Sequence, residues 1–148
     1  MNYFKILTIL ASLGSTAAFS EGTSDGSSDT SEAGGYQSAE AAILAGNYSE
    51  ALLILTALTE SEPDNADAWN MLGFASRKSG DLAAAGVAYS RALQINPDHP
   101  GALEYQGEMY LELMQPDMAK ANLVRLQTLC GDCEEATDLA QALADAGV

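Results

Sequence analysis

A spacing of 34 residues recurs along the chain and constrains its fold more than any other feature. Residues with distinct backbone roles share this spacing, because a Gly, a Pro or an Ala returns at the same place one period later. The matching positions are Gly46 and Gly80, Gly73 and Gly107, Pro63 and Pro97, and the series Ala51, Ala85 and Ala119. Such repetition is typical of a structure built from stacked copies of one small unit.

Two apolar runs with the spacing of an α-helix occupy each period. In the middle period, Trp69 and Leu72 share one face of the first run. Tyr89 and Leu93 share one face of the second run, and Gly80 between the runs suits the left-handed end of a helix. Because one helical hairpin cannot bury its apolar face alone, we expect three hairpins to stack against each other.

The amino-acid composition also favours helices. The chain has 26 Ala and 3 Val residues, and Ala is the best helix former whereas Val favours strands. Small residues such as Gly73 and Ala85 allow two helix backbones to approach closely where they cross. After the third period, residues 134–146 place Leu139 and Leu143 on one face and polar residues on the other, as expected of a helix that caps the stack.

The repeated positions resemble the signature of the tetratricopeptide repeat family. The middle copy, residues 66–99, carries most of the signature residues, namely Trp69, Leu72, Gly73, Ala85, Tyr89, Ala92 and Pro97. The copies at residues 32–65 and 100–133 depart from the pattern, with Gly35 in place of Trp and Met114 in place of the turn Gly. The resemblance implies an all-α, right-handed superhelical solenoid of about three helix-turn-helix repeats plus a C-terminal capping helix.

The first 35 residues differ in composition from the repeats. Residues 1–20 have a positively charged start, a short apolar run and then small residues, which is the order of a secretory signal peptide. The apolar run is far shorter than the roughly twenty residues needed to span a bilayer. Residues 21–35 contain no large apolar side chain, so we predict a disordered, acidic, Ser- and Gly-rich linker before a repeat domain at residues 36–148.

The predicted signal peptide implies export. We expect a soluble protein without membrane insertion after signal cleavage, located in the periplasm if the cell is Gram-negative. No Cys follows the apolar run, so the sequence carries no sign of a lipid anchor.

Acidic residues dominate the charge of the chain. Twenty-one Asp and Glu residues stand against six Lys and Arg residues, for a formal net charge of −15. Clustered basic residues are needed to neutralise phosphates, so we do not expect the protein to bind nucleic acid. A protein or peptide is the expected partner.

In the family that the chain resembles, the first helix of each repeat lines a groove. The groove positions carried over to this chain are Tyr36, Glu40, Asn70, Phe74, Arg77, Lys78, Glu104, Glu108 and Leu111. Relatives that capture the C-terminal carboxylate of a peptide use Lys, Arg and Asn at such positions, and the glutamates among these residues oppose that chemistry. We therefore expect an apolar centre at Phe74 and an acidic end that favours a partner segment bearing Lys or Arg. The alternative is that the glutamates only keep an exposed face hydrated.

Cys130 and Cys133 form the one chemical motif of the chain. In an exported protein, two cysteines at this spacing should form a disulfide, here one that pins the turn between the last repeat and the capping helix. The alternative is a redox-active pair. Asp132, Glu134 and Glu135 argue against redox activity, because negative charge raises the pKa of a neighbouring thiol.

We expect no catalytic residue, no cofactor and no metal site. None of the many acidic residues is paired with a base or a nucleophile in a recognisable motif. His99 is the only histidine and lies a full repeat away from the cysteines, so a metal ion would lack ligands. The sequence predicts a non-catalytic scaffold or adaptor of the cell envelope that binds a partner in its groove. The alternative is a thiol-disulfide or metal-handling accessory protein that acts through Cys130 and Cys133.

Overall fold

The computed structural model describes the backbone of residues 29–148 and the side chains from residue 34 onward. The predicted signal peptide and the first part of the predicted linker lie outside the described residues. Within the described part, the chain forms seven α-helices and no β-strand. They are α1 (Asp29–Leu44), α2 (Tyr48–Ser61), α3 (Ala66–Lys78), α4 (Leu82–Ile95), α5 (Pro100–Glu112), α6 (Pro116–Cys130) and α7 (Glu134–Asp145). None of these helices is long and apolar enough to cross a membrane.

The helices pack as three successive hairpins, in which α1 contacts α2, α3 contacts α4 and α5 contacts α6. Each hairpin also packs against the next through the contacts of α2 with α3 and of α4 with α5. The last helix, α7, packs against both α5 and α6 and buries Leu139 and Leu143. The predicted fold, an all-α helical repeat solenoid with a capping helix, is confirmed.

Helix α1 begins earlier than the sequence predicts. Its first residue, Asp29, lies three residues before the predicted repeat start at residue 32 and inside the predicted linker at residues 21–35. Residues 29–35 therefore belong to the first helix and not to a disordered linker. The pattern misses them because a segment without large apolar residues has no helical periodicity, although Glu32 and Ala33 are good helix formers.

The turn inside each hairpin has the same geometry in all three repeats. Gly46, Gly80 and Met114 occupy it with φ of 74°, 89° and 58°, which is the left-handed region. In each turn the next backbone N–H donates to the carbonyl oxygen five residues earlier, at 2.8, 3.0 and 2.8 Å. This hydrogen bond ends the helix. Met114 thus adopts the backbone conformation of the glycine that it replaces.

Two glycines allow the close helix crossings that the sequence predicts. A Cβ atom at Gly73 would lie 2.5 Å from the ring of Tyr89, and one at Gly107 would lie 2.7 Å from the side chain of Leu139. Both distances are far below van der Waals contact, so only glycine fits at these crossings without a shift of its neighbour. The ring of Tyr89 is fully buried as a result.

The apolar core is divided along the stack. One cluster joins α1, α2 and α3 around Leu55, and another joins α5, α6 and α7 around Leu103 and Leu139. A smaller cluster between them contains Tyr89 and Met109.

Candidate partner-binding groove

The predicted groove residues lie on α1, α3 and α5, the first helices of the three hairpins. We give the name groove face to most of them, namely Tyr36, Glu40, Asn70, Phe74, Arg77, Lys78, Glu104 and Glu108. Contacts from Phe74 and Arg77 to residues of α5 show that the faces of α3 and α5 adjoin each other. Leu111, also predicted as a groove residue, is half-buried and packs against the core of the third hairpin and the capping helix.

Arg77 is buried in the contact between α3 and α5, with 7% of its surface exposed. Its Nη2 lies 2.5 Å from an oxygen of Glu108, and its Nη1 donates a hydrogen bond of 2.8 Å to an oxygen of Glu112. Burial disfavours the charged guanidinium, but the carboxylate of Glu108 and the hydrogen bond to Glu112 outweigh it and raise the pKa of Arg77. Arg77 is therefore a permanent cation that is paired with two carboxylates of this chain, while its Nε has no hydrogen-bond partner among the described residues.

Phe74 packs against an aromatic residue of the next repeat. The ring centroids of Phe74 and Tyr105 are 5.0 Å apart, with the rings tilted by 54°. The guanidinium carbon of Arg77 lies 5.7 Å from the Phe74 centroid and 5.9 Å from the Tyr105 centroid, and Nζ of Lys78 lies 5.4 Å from the Phe74 centroid. Phe74 is half-buried, so it presents one side to an incoming partner and uses the other for packing.

Tyr105 belongs to the site, and the sequence does not reveal it. The repeat register aligns Tyr105 with Met71 of the preceding repeat, which is not a groove position. Burial, followed by the negative charges of Glu104 and Glu108, raises the pKa of Tyr105 to about 12, so its hydroxyl stays protonated at neutral pH.

Glu104 is buried on the groove face, with 7% of its surface exposed. Burial, followed by the negative charges of Glu108, Asp138 and Glu135, raises the pKa of its carboxyl group to about 8, against the opposing effect of Arg77. Asp138 and Glu135 come from the capping helix and were not predicted as site residues. Only the contact of α5 with α7 brings them to this end of the groove face.

The remaining groove residues vary in exposure. Asn70 is 9% exposed, and its side-chain oxygen has no hydrogen-bond partner within the described residues. Tyr36 is half-buried, and burial, followed by the charges of Asp67 and Glu40, raises its pKa. Glu40 and Lys78 are exposed. The groove face therefore combines buried polar groups near its centre with charged groups at its edges.

The two cysteines lie at the turn between α6 and α7. Cys130 ends α6, Cys133 precedes the first residue of α7, and their sulphur atoms are 2.01 Å apart. Within the described part, Cys130, Cys133 and Glu135 are the one group of three metal-ligand types whose ligand atoms lie within 4.8 Å of one another. Sulphur atoms that are bonded to each other offer no thiolate to a metal ion.

Comparisons with known proteins agree with this architecture. A family model described as tetratricopeptide repeat matches residues 36–100. No curated protein matches the sequence.

Three solved structures illustrate the likeness of fold. The first TPR of Spaghetti, bound to the HSP90 peptide SRMEEVD, is 20% identical with a TM-score of 0.71, over 79% of this chain and 93% of that chain. PcrH, in complex with the chaperone binding region of PopD, is 20% identical with a TM-score of 0.72, over 82% and 95% of the two chains. A T3SS complex from Aeromonas hydrophila is 24% identical with a TM-score of 0.67, over 81% and 78%.

The family match and the fold agree with the repeated residues of the sequence. The match covers the first two hairpins from residue 36 onward, and the third hairpin repeats their turn geometry. Residues 36–100 match the tetratricopeptide repeat family, and the described part of the chain has the fold of the TPR structures compared above.

Proposed function

We propose that this protein is a non-catalytic scaffold that binds a segment of a partner protein along its groove face. The observation that carries this proposal is a pair of buried polar side chains at equivalent positions of two repeats. Asn70 and Glu104 lie 34 residues apart and are both buried. The side-chain oxygen of Asn70 has no hydrogen-bond partner among the described residues, and no ion pair within them reaches the carboxyl group of Glu104. Because buried polar groups normally have hydrogen-bond partners, an incoming chain is the natural source of the missing ones.

The charge of the groove face favours a partner segment that bears Lys or Arg. Arg77 is its only buried cation, and the carboxylates of Glu108 and Glu112 already bind it. This arrangement disfavours capture of a C-terminal carboxylate, although Spaghetti, a protein of the same fold, binds the HSP90 peptide SRMEEVD. PcrH binds a region of PopD, which supports a partner protein as the general class of ligand.

Site-specific photo-crosslinking in cells tests this proposal. A photoreactive amino acid at Phe74 or Glu40 should crosslink to a partner protein, which mass spectrometry then identifies. The same amino acid at Leu53, which lies on α2 and is 76% exposed, is the control and should give no crosslink to that partner. Equal crosslinking from Leu53 would contradict the assignment of the groove face.

We also propose that Cys130 and Cys133 form a structural disulfide. The contact of their sulphur atoms supports it, and closing so short a loop contributes local order more than global stability. The double variant Cys130→Ser with Cys133→Ser should melt at a slightly lower temperature and keep the crosslink from Phe74. Loss of the partner with an intact fold would favour the alternative, a thiol-disulfide or metal-handling accessory protein.

We propose export to the periplasm or its equivalent as the location of the protein. The order of charged, apolar and small residues in positions 1–20 supports a cleaved signal peptide, and an oxidising compartment suits the proposed disulfide. N-terminal sequencing of the protein from fractionated cells tests this. A first residue near position 21 is expected, and retention of Met1 would contradict export by cleavage.

A further inference from the structure

Glu104 is a buried acidic group that the fold leaves without a counterion. It lies on α5, where its side chain is more than nine-tenths buried. Among the described residues, no hydrogen bond and no ion pair reaches its carboxyl group, whereas its neighbour Glu108 is paired with Arg77. Ionising a largely buried carboxyl group that has no ion-pair partner is unfavourable, so a cation from outside the chain would stabilise the ionised form of this group.

The charges around Glu104 come from three helices. Arg77 faces it from α3, Glu108 lies on its own helix α5, and Glu135 and Asp138 face it from α7. Arg77 is the single cation among them, and it already binds two other carboxylates. The net negative charge of this end of the groove face therefore attracts a cation.

A metal ion does not fit this cluster as it stands. A divalent cation needs several carboxylate oxygens to converge on one point. Within the described residues, the only group of three ligand types that converges within 4.8 Å is Cys130, Cys133 and Glu135, and it does not include Glu104. A cation carried on a flexible side chain does not need such convergence, because its stem adapts to the position of one carboxylate.

We infer that Glu104 is the receptor for one Lys or Arg side chain of the partner segment. The inference rests on the proposed function and names the group that would recognise the partner. The aromatic pair of Phe74 and Tyr105 beside it offers apolar surface for the aliphatic stem, and Glu108 and Asp138 add attraction for the charged head. The ion pair between Arg77 and Glu108 need not open when the partner binds, because the carboxyl group of Glu104 is not part of that pair.

Binding of such a side chain is coupled to a proton. In the free protein, Glu104 retains its proton to a higher pH than an ordinary glutamate, because it is buried among other carboxylates. The ion pair forms only with the ionised carboxylate, so the carboxyl proton leaves to solvent as the ammonium or guanidinium enters. Affinity for a basic segment should therefore increase as the pH rises toward 8 and level off above it, where the carboxyl group is already ionised in the free protein.

A peptide array tests the inference with defined probes. The purified protein is applied to N-acetylated, C-amidated peptides that differ by Lys, Arg, norleucine or Glu at one position. The wild-type protein should prefer Lys or Arg over norleucine by about tenfold or more, measured as the ratio of dissociation constants. Glu104→Gln should reduce this ratio to about one, whereas Glu60→Gln, which removes one exposed carboxylate from α2, should leave it unchanged.

A second measurement does not depend on a variant. Carboxyl-carbon NMR of the wild-type protein follows the titration of Glu104 with and without the tightest peptide, and the bound form should titrate at lower pH. Binding with the same preference in the wild-type protein and Glu104→Gln, or an unchanged titration, overturns the inference and leaves the proposed function standing. If the protein retains no peptide of the array, both this inference and the proposed function are overturned.

Discussion

The guanidinium of Arg77 on α3 lies 2.5 Å from the carboxylate of Glu108 on α5, and this ion pair joins the second repeat to the third. A cation in the groove could bind a carboxylate of a partner, but Arg77 already binds the carboxylate of Glu108 from the next repeat of its own chain. Arg77 is a residue of the interface between repeats as well as of the groove face.

Arg77→Ala should therefore destabilise the fold. Removing the guanidinium leaves Glu108 and Glu112 without their cation and opens space between α3 and α5, which should lower the free energy of unfolding by about 2 kcal/mol. Urea denaturation measures this. Lys78→Ala, at the exposed neighbouring position, should change the free energy by less than about 0.5 kcal/mol. Equal effects of the two substitutions would show that the buried ion pair contributes nothing.

Glu104→Gln should remove a dependence of stability on pH. Burial raises the pKa of Glu104 from 4.5 to about 8, so the folded protein holds a proton that the unfolded chain releases between these values. The contribution of Glu104 to the free energy of unfolding therefore falls as the pH rises through this window and is constant above it. Relative to Glu104→Gln, the wild-type protein should lose up to about 1.4 kcal/mol per pH unit between about pH 4.5 and about pH 8.

Urea denaturation of both proteins across that pH range checks this prediction. Acidic groups far from Glu104 contribute equally to the two proteins, so the difference between the curves reports on Glu104 and the carboxylates that interact with it. Parallel curves would mean that the carboxyl group of Glu104 titrates alike in the folded and unfolded states.

Gly73→Ala and Gly86→Ala should have opposite effects on stability. The new methyl group at residue 73 would lie 2.5 Å from the buried ring of Tyr89, so α3 and α4 must separate, at a cost of about 2 kcal/mol. At residue 86, inside α4, the methyl group would lie 3.6 Å from the sulphur of Met109, an ordinary contact. The greater helix propensity of Ala should then stabilise the protein by about 0.5 kcal/mol.

Thermal unfolding followed by circular dichroism distinguishes these two variants. A lower melting temperature for Gly73→Ala and a higher one for Gly86→Ala are expected. Two shifts of the same sign would contradict the close approach of Gly73 to Tyr89.

Met114→Gly should stabilise the third hairpin. Met114 has a φ of 58°, which disfavours a side chain, and its side chain is 86% exposed, so little packing is lost. Glycine removes the strain of the left-handed conformation, and this gain should exceed the entropic cost of the more flexible unfolded chain. The free energy of unfolding should therefore increase by about 0.5 kcal/mol. Met118→Gly, inside α6, should instead lose about 1 kcal/mol. A loss of stability in both variants would exclude strain at the turn.

The sequence predicts the repeated backbone of this protein better than its side-chain contacts. The period of 34 residues predicts the hairpins, and it places Gly73 at the crossing where the structure shows it against Tyr89. These features depend on local residues that recur. The start of α1 at Asp29 is not predicted, because its first turns have no apolar pattern.

The groove face is only partly predictable for a related reason. The repeat register aligns Glu104 and Glu108 with groove positions. It does not predict that Glu104 is buried without an ion-pair partner or that Glu108 binds Arg77. Those differences arise from residues of neighbouring helices, including Asp138 of α7. Tyr105 is missed because the contact that places it beside Phe74 joins two repeats.

The division of the apolar core has a mechanical consequence. Helix α3 belongs to the cluster around Leu55, whereas α5 belongs to the cluster around Leu139. The groove face crosses the boundary between these two packed halves, and the pair of Arg77 and Glu108 spans it. The contact of Phe74 with Tyr105 and the smaller cluster around Tyr89 and Met109 lie at the same boundary. The spacing of α3 and α5 across the groove face is therefore held by one ion pair, one ring contact and this small cluster, and not by a continuous apolar core.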